Sequence, residues 1–267
     1  QAISCVGDIR RFIPSIELLH DGVGCYKVKL IPGAAAHAAT SIFEEYLNNV
    51  DLAFKRVSYS NDTIIYKLDA DGSQMRAVLD SSVSELLFSV APMPRMRATL
   101  DMLDATGLPA ITVPNDGEEY PVLGILDSGI ASNSYIGPWL KGQRWSPYID
   151  QDLDPSHGTF VAGVALYGDE MEGKTWVGGV NPRVIDAAVF PAAGVDEDEL
   201  VDNIDRAMKL YSHEVKGWNL SISIDREIRD DEFSDFAAAL DEIQDRYGVL
   251  ICKSAGNCTN FCGNEEK

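Results

Sequence analysis

The sequence predicts an α/β protein in two regions: a small α+β region of order β-α-β-β-α-β, then a region whose alternating strands and helices build a parallel sheet. Three observations predict it. Between Val122 and Cys252, apolar runs of strand length alternate with segments of helical period, the pattern of right-handed crossovers between parallel strands. Val122 to Asp127 has almost no polar break, as a strand buried on both faces requires. Ahead of Arg97, strand-like and helix-like segments succeed one another without that regular alternation, and Arg95 to Tyr120 breaks the chain with Pro109, Pro114 and Asn115-Asp116-Gly117. The expected division is therefore 1–97, a linker over 98–120, and 121–267.

In the first region Cys25 to Ile31 alternates as a strand does, and Pro32-Gly33 ends it. Ala34 to Asn49 holds helix formers, with Ile42, Phe43, Tyr46 and Leu47 on one face. Leu52 to Tyr59 and Thr63 to Leu68 are strands around the turn Ser60-Asn61-Asp62. Ser73 to Ser81 is a short helix with Met75, Val78 and Leu79 inward, and Leu86 to Val90 is the last strand before Pro92. A further short helix is expected over Arg97 to Ala105.

The second region starts with the strand Val122 to Asp127. A helix follows over His157 to Leu166, with Val161, Val164 and Ala165 toward the sheet. Then come the strand Val184 to Phe190, the helix Asp198 to Ser212 and one strand over Trp218 to Ile224. The helix of Asp198 to Ser212 turns Leu200, Ile204, Ala207, Met208 and Tyr211 inward, and Asp196-Glu197-Asp198-Glu199 favours its positive N-terminal end. The helix Glu232 to Tyr247 presents Phe236, Ala239, Leu240 and Ile243, and Val249 to Cys252 is the last strand. Functional groups of such sheets gather beyond the carboxyl ends of the strands, where Asp127 and Asn257 both fall.

Composition narrows the function. Lys and Arg number 22 against 42 Asp and Glu, a formal charge of −20, which opposes binding to nucleic acid or to an anionic membrane surface. No apolar run approaches a membrane span. The five cysteines, Cys5, Cys25, Cys252, Cys258 and Cys262, have no framework spacing, although a Cys258–Cys262 bridge in an oxidising compartment stays open. They also lack the paired spacing or nearby histidine of a zinc site, so no metal and no cofactor is expected. Absence of a signal-peptide pattern and the unpaired thiols point to the cytoplasm, with secretion left open because the chain begins at Gln1.

The chemistry-bearing residues form an ordered set. Asp127 stands at a strand end before Ser128-Gly129; His157 opens a helix in Ser156-His157-Gly158-Thr159-Phe160-Val161-Ala162-Gly163; Asn257 follows Ser254-Ala255-Gly256. The acid and the histidine are 157 − 127 = 30 residues apart. A serine hydroxyl is a weak nucleophile until a base takes its proton, and imidazole suits that role at neutral pH. A carboxylate on the other ring nitrogen fixes the tautomer, and a separate donor stabilises the oxyanion. Asp127 is expected to orient, His157 to act as base and then acid, and Asn257 to donate to the oxyanion.

At these residues the chain resembles the subtilisin-like serine proteases, the subtilases, whose Asp-Ser/Thr-Gly, His-Gly-Thr-x-Val-Ala-Gly and Ala-Gly-Asn patterns are met at Asp127, His157 and Asn257. Gly179-Val180-Asn181-Pro182 is similar to the family's Gly-Val-Ala-Pro. Asn219-Leu220-Ser221-Ile222-Ser223 looks like its substrate-pairing edge, so Ser221, Ile222 and Ser223, with Ala255 and Gly256, are implied to bind substrate. Ser223 stands where a glycine is common and narrows the first specificity pocket. The resemblance implies an endopeptidase acting on protein or peptide substrates in a subtilisin-like parallel-sheet domain. It also implies a ferredoxin-like, prodomain-like N-terminal domain, removed or retained, that covers the cleft intramolecularly. Some relatives work beside an ATPase partner. No Gly-Thr-Ser follows Asn257, so the 267 residues are expected to be an incomplete catalytic domain, inactive alone; the other reading is a catalytically inactive pseudoprotease or peptide-binding module.

Overall fold

The computed structural model describes residues 12–19, 23–33, 36–59, 63–98, 109–174, 181–224 and 233–255. The chain divides into two compact units, Gln1–Met93 and Pro94–Lys267.

The first unit holds strands β1 (Ser15–Ile16), β2 (Val23–Leu30), β3 (Phe54–Ser58), β4 (Ile64–Asp71) and β5 (Leu87–Pro92), with helices α1 (Ala36–Asn49) and α2 (Gly72–Leu79). The sheet order is β1-β5-β2-β4-β3. All neighbours are antiparallel except β1 and β5, which are parallel. Tyr26, Val28 and Leu30 alternate on β2 and meet Phe43 and Leu47 of α1 and Met75 and Val78 of α2 in one core. Phe43 and Tyr66 contact edge to face at 5.0 Å. Asp71 starts α2 by accepting from the Ser73 and Gln74 amides, both at 2.8 Å, while the Gln74 side chain accepts from the Asp71 amide at 2.9 Å, a reciprocal cap. Two elements were not expected from the sequence: β1, and a 3-10 turn at Ser82–Leu86. Ile42, assigned to the inner face of α1, is half exposed; Ala39 and Thr40 are buried instead.

The second unit holds β6 (Arg95–Arg97), β7 (Val122–Asp127), α3 (Ser156–Met171), β8 (Arg183–Ala188), β9 (Val195–Asp196), α4 (Glu197–Tyr211), β10 (Gly217–Leu220), β11 (Ser223–Ile224), α5 (Asp235–Tyr247) and β12 (Leu250–Lys253). Four strands form a parallel sheet in the order β12-β10-β7-β8. The chain leaves β7 toward β8 and then returns to β10 on β7's other side. Right-handed crossovers in these opposite directions put α3 on one face and α4 and α5 on the other. Gly124 pairs with Trp218 across β7 and β10, and a β-carbon on Gly124 would lie 2.0 Å from the Trp218 ring, so the indole occupies the space a side chain would take. On the α3 face Ile125 and Val184 pack with Ala162, Leu166 and Tyr167. Among the described residues no helix is long and apolar enough to cross a membrane.

Three expectations change here. The fully buried line of α3 is Gly158, Ala162, Leu166 and Tyr167; Val161 packs against the same core as expected, but Val164 is half exposed. The single strand Trp218 to Ile224 is two. The parallel ladder ends at Leu220, and Ser223–Ile224 pairs instead with β6 in a separate antiparallel sheet of order β11-β6-β9. The unit boundary lies at Met93, ahead of Arg97, because Arg95–Arg97 is bound into that sheet. Within the segment read as linker, Thr112 accepts from Trp139 Nε1 at 2.9 Å and Tyr120 stacks edge-on against Trp139, so residues 109–120 are packed as part of the second unit. The helix expected over Arg97 to Ala105 and the Cys258–Cys262 pair lie largely or wholly outside the described residues.

Candidate active site

Asp127 ends β7 and is buried to 1% exposure. Its Oδ1 accepts the Ser128 amide at 2.8 Å, and its backbone carbonyl accepts the Val189 amide at 2.8 Å, which ties it to the strand beside it. His157 lies in the first turn of α3, and its Nδ1 meets Asp127 Oδ2 at 2.7 Å. A carboxylate accepts only, so Nδ1 carries the proton and Nε2 is left as the basic nitrogen. This hydrogen bond lifts the imidazole above the ordinary histidine range, against the opposing effect of burial.

The local sequence brings the two together. The Asp154 carboxylate accepts from the Ser156 amide at 3.0 Å and from its hydroxyl at 2.6 Å at the start of α3. Thr159 Oγ1 accepts from the Ala131 amide at 2.8 Å, joining the helix to the turn after β7. Ser128 Oγ donates to the Asp154 carbonyl, closing the same contact from the other side. Gly129 has φ +105°, a left-handed backbone that glycine alone adopts without strain.

Three short strands form a small antiparallel sheet. Arg95–Arg97 runs antiparallel between Val195–Asp196 and Ser223–Ile224, with Met96 fully buried between its two arginines. Arg95 Nη2 donates to the carbonyls of Ala193 (3.2 Å) and Gly194 (3.3 Å), and Ser223 Oγ donates to the Arg97 carbonyl at 3.3 Å.

Of the residues singled out in the sequence, Asp127 and His157 are in contact. Ser221 donates to Asn219 Oδ1 at 2.9 Å, Ile222 is buried, and Ser223 lines the antiparallel strand. Ala255 is exposed just beyond β12. Gly256, Asn257 and the Gly179-Val180 pair lie outside the described residues.

Sequence reasoning passed over Arg144, Asp186 and Lys253. Arg144 Nε donates to Asp186 Oδ2 at 2.7 Å, beside the turn after β7. The signal for Asp186 was an acid inside the apolar run Val184 to Phe190; Arg144 carried none. Lys253 Nζ donates to the carbonyls of Ile222 (2.6 Å) and Ser254 (2.5 Å), and burial lowers its ammonium below the ordinary lysine range. It bridges the end of β12 to the edge that carries Ser221 to Ser223.

The model of the subtilase family matches residues 118–266. No curated protein matches the chain. Among solved structures the chain is similar to an epidermin leader peptide processing serine protease from Staphylococcus aureus, at 13% identity and a TM-score of 0.48 over 88% of this chain and 60% of that one. It is also similar to a phospho-2-dehydro-3-deoxyheptonate aldolase from Thermotoga maritima, at 12% identity and a TM-score of 0.21 over 91% of this chain and 72% of that one. The chain thus spans less than two thirds of the length of the protease. Neither structural likeness is strong enough to bear on function, which is read from the family match and the site.

Proposed function

The chain belongs to the subtilase family, and on that premise we propose that Asp127 and His157 are the acid and base of a triad that hydrolyses peptide bonds through a serine hydroxyl. The single observation that carries this reading is the 2.7 Å contact from His157 Nδ1 to the buried Asp127 carboxylate. It fixes the tautomer whose free Nε2 takes the proton of an attacking hydroxyl and later hands it to the leaving amine. The buried carboxylate stabilises the imidazolium that forms between those two steps. Asn257 supplies the side-chain donor to the oxyanion; the support for it is the Ala255-Gly256-Asn257 sequence directly beyond β12.

The substrate is a protein or peptide held as an added strand. Support comes from Arg95–Arg97, an extended segment already paired on both sides by Val195–Asp196 and Ser223–Ile224. In this reading Ser221, Ile222 and Ser223 flank the substrate on one side, and the pairing of Ser223 with Arg97 supports it. The N-terminal β-α-β-β-α-β unit is a ferredoxin-like, prodomain-like domain; its sheet order and the run of the chain from Met93 into β6 favour that reading.

The 267 residues contain no Gly-Thr-Ser sequence, so the test is made on the full-length protein. A fluorophosphonate probe should label it covalently, and His157→Ala and Asp127→Ala should remove the labelling. Labelling that persists without His157 would refute the mechanism. Binding of extended peptides by an unlabelled full-length protein would favour a peptide-binding module, for which strand pairing to Val195–Asp196 and Ser223–Ile224 suffices.

A further inference from the structure

Arg144 and Asp186 lie outside every motif described above, yet both act on the turn that follows Asp127. Asp186 Oδ2 accepts from Arg144 Nε at 2.7 Å and from the Ile130 amide at 3.1 Å. Arg144 Nη2 donates to the Ile130 carbonyl at 2.5 Å, and Nη1 reaches Asp150 Oδ1 at 3.3 Å. Both backbone polar groups of Ile130 are therefore held by this one pair. Gly129 leaves room for it, since a β-carbon there would lie 3.2 Å from Arg144 Cζ. At the other end of the turn the Ser128 amide donates to Asp127 Oδ1. Hydrogen bonds thus fasten both ends of the three-residue turn, the pair at Ile130 and the Asp127 carboxylate at Ser128, and the same carboxylate meets His157.

The geometry points to Arg144 and Asp186 as a positioning pair that aims the Asp127 carboxylate at His157, an inference that rests on the triad reading above. In the sheet, Asp186 is in register with Ile125, so it shares a face with Asp127. Its side chain is 6% exposed against 26% for Arg144, and its Oδ1 is buried without a hydrogen-bond partner among the described residues. Stability alone does not favour such a pair, because a half-satisfied buried carboxylate is poorer than apolar packing of the same volume. Burial pushes the Asp186 carboxyl up, the Arg144 guanidinium opposes this, and the neighbouring Asp127 adds to the rise. A buried ion pair retained beside a reacting acid fits a role in holding geometry.

The test uses Arg144→Met/Asp186→Leu, which removes both charges at once and leaves the net charge unchanged. In the full-length protein, kcat for a peptide substrate should fall roughly 10- to 100-fold with KM nearly unchanged, as expected for a misplaced catalytic group. The His157 ring, followed by NMR titration, should move down toward the ordinary histidine range while the melting temperature stays near wild type. Asp127 is the charged group that acts on that ring and it is retained in the variant, so a fall reports the lost Asp127 contact. Wild-type kcat with an unmoved His157 titration would overturn the inference. Should the double variant fail to fold, Arg144→Lys keeps the charge but loses the fork; the same two readouts then decide, a fall in both supporting the pair and wild-type values overturning it. Asp127→Ala separates the two claims. If Asp127→Ala is inactive and the pair variants are wild type, only the positioning role fails; if Asp127→Ala is fully active, the triad reading fails and takes this inference with it.

Discussion

Gly158 lies so close to Gly129 that a β-carbon on it would come 2.3 Å from the Gly129 carbonyl oxygen, and 3.1 Å from the β-carbon of Asp127. Neither neighbour is a flexible side-chain tip. The absent side chain lets the first turn of α3 dock on the turn after β7, and that docking carries His157 to Asp127. Gly158→Ala should push the helix outward. The expected cost is about 1–3 kcal/mol of stability by overpacking, read as a lower urea midpoint, with a larger fractional loss of kcat.

The pH dependence of the proposed activity should carry the mark of the same contact. In the proposed triad His157 works as the neutral base, and it is held above the ordinary histidine value of 6.5, so the acid limb of kcat/KM should show an apparent pKa above 6.5. Asp127→Asn should move that limb to lower pH. The sign for stability follows from linkage. A raised folded-state pKa contributes stability that is fully present below the unfolded pKa and is lost as pH rises through the folded value. The melting-temperature gap between wild type and Asp127→Asn should therefore narrow from mildly acidic to alkaline pH.

Lys253 donates to two carbonyls, that of Ile222 on the proposed substrate-binding edge and that of Ser254 just beyond β12. Lys253→Met keeps most of its volume and removes both hydrogen bonds. One net hydrogen bond is worth about 1 kcal/mol, so KM for peptide substrates should rise about fivefold with kcat little changed. Steady-state kinetics separates the two, and an equal loss in kcat would assign Lys253 to the chemistry instead.

Gly124 is the counterpart of Trp218 in the middle of the parallel sheet. Gly124→Ala sets a methyl group 2.0 Å from the indole ring, with β7 and β10 fixed in register on either side. Stability should fall by about 1–3 kcal/mol, and the Trp218 fluorescence should change as the ring is displaced. An unaltered urea midpoint would show that the ring does not fill this space.

Much of this was legible from residue order alone. The apolar run Val122 to Asp127 and the repeat Phe236, Ala239, Leu240, Ile243 each had one period to obey, and both lie where that period put them. The contact of Asp127 with His157 was foreshadowed by the motif around each, because the glycines beside them mark close backbone approach. What local pattern did not reveal depends on partners distant in the chain. Trp218 to Ile224 is uniformly strand-like, and only the arrival of Arg95–Arg97 explains why the ladder stops at Leu220 and resumes with another sheet. Arg144 looks like any loop arginine until folding sets it against Asp186, 42 residues away. Val164 follows helical spacing but faces outward, since the close approach at Gly158 sets the line Gly158, Ala162, Leu166 toward the sheet.

The most direct measurement is peptide hydrolysis by the full-length protein with Asp127→Asn, a change that keeps the shape of the side chain and removes its charge. The expected result is a fall in kcat of about 10³- to 10⁴-fold, since the imidazole then loses both its tautomer and its counter-charge. A kcat within a fewfold of wild type would contradict the account, because His157 would then be acting without the carboxylate that holds it.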